Sequence, residues 1–167
     1  PYISIITNID HEHLNNYQDN INNLEDAFCE FAKNTHDSGV LIICIDNPII
    51  KKLYKNNKLD NKNKINNKNT YNIITYSIYD PKADLYAKTI RHDNLHTIFK
   101  LYLNPNIPKL KQHFDLLNNI ELAVKLNGEH NLQNTLGSIA ASMIANINPS
   151  KIINALANFQ GVKRRCE

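Results

Sequence analysis

Six consecutive apolar residues, Val40 to Ile45, stand between a Ser38-Gly39 break and the polar run Asp46-Asn47-Pro48. A run this short falls far below the ~20 apolar residues that a membrane-spanning helix needs. It reads as a strand buried on both faces, which is the pattern of a parallel sheet covered by helices. The flanking segments agree. Tyr2 to Thr7 reads as a first short strand rich in β-branched residues. Between the two, Leu14, Tyr17, Ile21, Leu24, Phe28 and Phe31 recur at spacings of three and four, one apolar stripe along a helix. Asn47-Pro48 then predicts a capped short helix over 49–54, with Pro at its first position. Strand, helix, strand, helix at this spacing predicts an α/β fold whose mostly parallel sheet is flanked by helices.

Asn56 to Asn69 is almost entirely Asn and Lys and reads as a low-complexity, mobile surface insertion. Asn72 to Ile78 returns to strand. Ala83 to Arg91, Thr97 to Leu103 and Ile120 to Leu126 then read as strands without intervening helices, which predicts a smaller antiparallel β portion. A helix follows over 131–147. Asn148-Pro149-Ser150 starts another over 151–159, and Gly161 is expected to end it.

At 167 residues the length suits about one domain. The net charge of +3 carries no block of like charges, so the lysines between Lys51 and Lys68 read as a solvated loop. No nucleic-acid partner and no membrane association are expected. Three cysteines, Cys29, Cys44 and Cys166, are odd in number and lack metal-ligand spacing, which suits a reduced, cytoplasmic compartment. The chain begins at Pro1 without Met and stops just after Lys163-Arg164-Arg165, so it is expected to be a piece of a longer protein.

Three stretches carry candidate chemistry. The first is Thr7-Asn8-Ile9-Asp10-His11-Glu12-His13, beyond the carboxyl end of the first strand, where open α/β sheets bind ligands. Its His, Glu and Asp suit a metal, and spacing alone favours zinc or another transition ion. The same acids also suit the start of a helix, and on composition that reading weighs more. The second is Gly128-Glu129-His130-Asn131-Leu132-Gln133-Asn134, at the head of a helix that otherwise reads as buried. Asn131 and Asn134 share one face, and carboxamides offer donors and an acceptor to the edge of a nucleobase. An N-cap at Asn131 with a surface His130 explains the same residues equally well. The third is Phe159-Gln160-Gly161-Val162-Lys163-Arg164-Arg165-Cys166-Glu167, whose adjacent cations suit phosphate. Taken alone it is a solvated charge run.

In order along the chain, Thr7-Asn8-Ile9 with His13-Leu14 and Tyr17, Asp80-Pro81-Lys82-Ala83-Asp84, Gly128-Glu129-His130-Asn131 with Asn134, and Phe159 and Gly161-Val162-Lys163-Arg164-Arg165 with Glu167 resemble the motifs of the Mur ligases. The resemblance spans nearly the whole chain apart from the Asn/Lys insertion. It implies a partial central ATP-binding domain over 1–158, with 159–167 a linker and the start of a carboxyl-terminal domain. Within the family, Leu14-Asn15-Asn16-Tyr17 looks most like the branch that joins L-alanine to UDP-N-acetylmuramate in peptidoglycan synthesis. ATP is implied to convert the lactyl carboxylate to an acyl phosphate, which the amine of L-alanine attacks. His13 matches a histidine that ligates magnesium. Asn131 and Asn134, with His130 beside them, match the residues that hold adenine. Arg165 matches an arginine that reaches the ATP phosphates. Phosphoryl transfer needs positioning and charge neutralisation more than covalent help, and these groups would supply both. Magnesium prefers oxygen donors, so spacing alone does not point to it at His13.

The sequence departs from the family at Asn15, which stands where an Asp is usual. A Gly-rich loop ending Gly-Lys-Ser/Thr cradles phosphates in such ATPases. None of Gly39, Gly128, Gly137 and Gly161 belongs to one, so these residues alone are expected to be inactive as a ligase. A murein-peptide recycling ligase of the same family, and a non-catalytic nucleotide-binding or interaction module, are the alternatives.

Overall fold

The computed structural model describes residues 1–10, 17, 20–60, 71–93 and 96–161. It divides into two compact units, Pro1–Thr75 and Tyr76–Glu167.

In the first unit, β1 (Ile3–Ile6) pairs in parallel with β2 (Val40–Cys44), Ile3 opposite Val40 and Ile6 opposite Ile43. Every residue of β2 is buried, as a strand covered on both faces must be. The helix α1 (Ile21–Lys33) makes the crossover between them. It starts later than the apolar stripe predicts. Asn20 is extended (φ −113°, ψ 113°), and its side chain accepts from Asn22 N at 2.9 Å, which fixes the N-terminus there.

The buried face of α1 also differs from the predicted stripe. Leu24, Glu25, Cys29 and Ala32 are buried, whereas Phe31 is 43% exposed. The reason is Glu25, a carboxylate on the packing face. Its oxygens accept from Lys52 Nζ at 2.9 and 3.2 Å, so its burial is compensated and the helix turns that way. Ser4 and Thr35, both buried, share a 2.7 Å hydrogen bond that ties β1 to the end of α1. The helix α2 (Pro48–Lys55) follows the expected pattern, with Asn47 Oδ1 accepting from Ile49 N and Ile50 N. Of the expected insertion, 56–60 form a turn and 61–70 lie outside the described residues.

The strand β3 (Asn72–Ser77) passes from the first unit into the second. In the second unit the strand order is β3, β4 (Leu85–Asp93), β5 (His96–Leu103), β6 (Ile120–Val124). The end of β3 pairs in parallel with the start of β4, Tyr76 opposite Leu85. Ser77 Oγ accepts from Tyr79 N and Asp80 N, and Asp80 Oδ1 from Lys82 N, which folds the short connection. The pairs β4–β5 and β5–β6 are antiparallel, with a bulge between Thr89 and Arg91. Parallel pairing followed by an antiparallel portion is the fold class the sequence predicts.

The expectation of strands without intervening helices fails. A helix, α3 (Pro108–Leu117), stands between β5 and β6. Pro108 opens it, and Leu110, His113 and Leu117 bury one narrow face. His113 Nε2 donates to Met143 O at 3.0 Å, so a histidine serves as a core residue where only apolar ones were sought. The helix α4 (Glu129–Ile144) starts two residues before its expected start and ends three early. The helix α5 (Pro149–Asn158) is capped by Asn148, which accepts from Ser150 N. It ends at an extended Phe159 rather than at Gly161. No helix among the described residues is long and apolar enough to cross a membrane.

Two stability predictions follow from the first unit. A Cβ on Gly39 would press on Tyr2 O and lie 2.8 Å from His36 O, both backbone atoms. Gly39→Ala should therefore lower the unfolding free energy by roughly 2–4 kcal/mol in urea titration; a change below about 0.5 kcal/mol contradicts that packing. Tyr71 is buried and donates its hydroxyl to Leu59 O. Burial, with Asp60 and Cys29 nearby, pushes its pKa up to about 12 from the usual 10.0. The unfolded chain ionises this group first, so its contribution is full below pH 10 and lost as pH rises through 12, roughly 2–3 kcal/mol in all. Wild-type stability should fall more steeply than that of Tyr71→Phe across this window. Parallel curves would show that Tyr71 does not couple to folding.

Candidate functional site

Beyond the carboxyl end of β1, the chain folds on itself through short polar contacts. Thr7 Oγ1 donates to Asn8 Oδ1 at 3.0 Å, and Asn8 Nδ2 donates to Asp10 Oδ2 at 2.9 Å. Ile9 is buried, and its carbonyl accepts from Asn47 Nδ2 at 2.9 Å. Asn47 thus caps α2 with one end of its amide and holds the β1 loop with the other. Because β1 and β2 are parallel, their loops open on the same edge, where α/β sheets carry ligands. His11, Glu12 and His13 lie outside the described residues, so Asp10 is the described carboxylate of that cluster. Among the described residues no group of three or more His, Cys, Asp or Glu is placed to hold a metal.

In the second unit, the turn from β6 into α4 rests on Gly128. Its φ is +94° and its ψ is 150°, and a Cβ there would meet nothing within 4 Å. Glycine is therefore required by conformation rather than by space. Gly128 is itself the N-cap and offers no side-chain bond. The reading of Asn131 as cap is thus corrected: it sits in the first turn, and its Nδ2 reaches back to Asn127 O at 2.7 Å. That leaves Asn131 its second N–H and its Oδ1. His130 and Asn134 are exposed, while Leu132, Thr135, Leu136 and Gly137 face the core. Two hydroxyls cover the backbone behind the site: Thr135 Oγ1 donates to Asn131 O at 2.7 Å and Ser138 Oγ to Asn134 O at 2.9 Å. The sequence-predicted His130, Asn131 and Asn134 therefore lie together in the first two turns of one helix, His130 and Asn134 exposed and Asn131 half-buried.

Arg165 and the rest of 162–167 lie outside the described residues. The beginning of that stretch is nonetheless anchored. Gln160 Oε1 accepts from Lys125 Nζ at 2.8 Å, which sets the segment after α5 beside the loop that enters α4. Sequence reasoning included Gln160 in the third candidate stretch but missed Lys125, since nothing marks a pair 35 residues apart. It also missed Thr97, whose hydroxyl donates to Leu126 O at 2.7 Å from within β5. A threonine in a strand reads only as a β-former.

The chain matches the model of the Mur ligase middle domain over residues 1–142. It is 35% identical over 171 residues to a UDP-N-acetylmuramate–L-alanine ligase of Clostridium tetani, and 28% identical over 166 residues to one of Nitrosomonas europaea. These matches cover 100% and 99% of the chain and 31% of each relative, so the chain spans about a third of their length. Among solved structures it superposes on MurF of Acinetobacter baumannii with TM-score 0.73 at 19% identity, covering 100% of this chain and 31% of that one. MurF ligase of Thermotoga maritima in complex with ADP gives TM-score 0.65 at 15% identity, covering 97% and 31%. At such identities the structures speak for the fold, and the family pattern runs from the first strand into α4. The chain belongs to the Mur ligase middle-domain family.

Proposed function

We propose that the chain is most of the central ATP-binding domain, over 1–158, of a cytoplasmic ligase that joins L-alanine to UDP-N-acetylmuramate, with 159–167 leading into a further domain. The observation that carries this reading is the start of α4. Two carboxamides, the half-buried Asn131 and the exposed Asn134, stand three residues apart in the first two turns of α4, and the bond from Asn131 Nδ2 to Asn127 O leaves its second N–H and its Oδ1 for a base edge. The names of the curated relatives support the substrates, and the ADP in a solved relative supports the nucleotide.

In this reading Asn131, Asn134 and His130 hold the adenine end of ATP. Arg165, carried by the segment that Lys125 and Gln160 anchor, neutralises phosphate charge. Magnesium would take His13 as a ligand, in the stretch that follows the carboxyl end of β1. Asp10 there is an oxygen donor of the kind a hard cation takes, and its Oδ2 already accepts from Asn8. The ion would offset phosphate charge during transfer.

The test is phosphate release from ATP by the full-length gene product with UDP-N-acetylmuramate present. L-alanine should stimulate it, and the tripeptide substrate of murein recycling should not. Stimulation by the tripeptide alone would assign the recycling ligase instead. The 167-residue chain by itself has no Gly-Lys-Ser/Thr loop and should release no phosphate in response to L-alanine. Release by the isolated chain would contradict the assignment of the phosphate-cradling loop to residues outside it.

A further inference from the structure

The short segment that leads into α4 is held by side chains from two directions. Thr97 lies on β5 opposite His92 of β4 and Val124 of β6, and it is 1% exposed. Its hydroxyl donates to Leu126 O at 2.7 Å, two residues past the end of β6. A hydroxyl has one hydrogen, so its oxygen accepts from His92 Nδ1 at 3.2 Å, and that ring carries its proton on Nδ1. The next carbonyl, Asn127 O, accepts from Asn131 Nδ2. Two successive carbonyls before Gly128 are thus claimed by side-chain donors, one from the sheet and one from the helix.

We propose that Thr97 is a positioning residue for the base-holding start of α4. This rests on the nucleotide reading of Asn131 and Asn134 given above. The direction of the Asn131 carboxamide follows Asn127 O, and Asn127 O follows Leu126 O through a single peptide unit. Thr97 fixes Leu126 O from the start of β5, a strand paired on both sides by β4 and β6. The second N–H and the Oδ1 of Asn131 stay aimed at a ligand while its other N–H is held on Asn127 O. Loss of the Thr97 hydroxyl removes one tie on the 126–128 segment and misaims the Asn131 amide, while the strand keeps its shape because valine fills nearly the same space. Loss of one well-aimed hydrogen bond at the base edge costs on the order of tenfold in affinity.

The experiment compares dissociation constants of ADP and of inorganic tripolyphosphate for the full-length gene product, by calorimetry. Thr97→Val should weaken ADP about tenfold and leave tripolyphosphate within about twofold, since only the base end is disturbed. Thr97→Ser, which keeps the hydroxyl, should restore ADP binding. Thr97→Cys, a poor donor of similar size, supplies the same reading if the valine variant does not fold. Unchanged ADP affinity in the Val or Cys variant, with Asn131→Ala weakened, overturns the role of Thr97 alone. Equal weakening of ADP and tripolyphosphate overturns it too, because a merely structural residue would behave that way. Asn131→Ala and Asn134→Ala proteins that bind ADP like the wild type, or a wild type that binds none, overturn the nucleotide reading itself.

Discussion

Where β6 turns into α4, the backbone passes through φ +94° at residue 128, a region that side chains with a Cβ rarely occupy. That single conformation sets the phase of the helix that follows. With the helix started there, Leu132, Leu136, Gly137 and Ile139 meet the core, and Asn131 and Asn134 stand outside it. Gly137 brings the helix close to the buried ring of Tyr76, since a Cβ would lie 3.2 Å from the Tyr76 hydroxyl oxygen. The same backbone turn therefore seats the helix and presents its amides. Anything that shifted the turn by one residue would bury an asparagine and expose a leucine.

Both units solve a similar problem at their strand ends, where backbone carbonyls leave the sheet and need new donors. In the first unit Asn47 closes α2 and holds Ile9 O with opposite ends of one amide. In the second, Thr97 and Asn131 take Leu126 O and Asn127 O. Short polar side chains do this work throughout, and three of the helices (α1, α2 and α5) begin at an asparagine whose side chain caps them. The heavy use of asparagine in this chain thus has structural outlets beyond the Asn/Lys tract.

Much of the fold was legible because some signals are local. The apolar run at β2 and the Asn-Pro starts of α2 and α5 need no knowledge of distant residues, and each element appears where it was expected. The failures have a common cause. Glu25 and His113 are polar residues on packing faces, made tolerable by Lys52 and by Met143 O, partners that lie 27 and 30 residues away. Periodicity that counts only apolar residues therefore turned α1 toward Phe31 and passed over α3. At the candidate site, Asn131 and Asn134 could be read from their spacing on one helix. Thr97 could not, because its partner lies 29 residues along the chain and its residue type is ordinary for a strand.

In the functional reading, the first two turns of α4 hold a nucleobase through Asn131 and Asn134. Adenosine, which has no phosphate, tests the base end separately. The measurement is the side-chain amide resonances of Asn131 and Asn134 in the 167-residue chain during titration with adenosine and, separately, with tripolyphosphate. The expected result is saturable movement of both amides with adenosine and none with tripolyphosphate. Amides that stay fixed while adenosine is added would contradict a base-holding role for this helix.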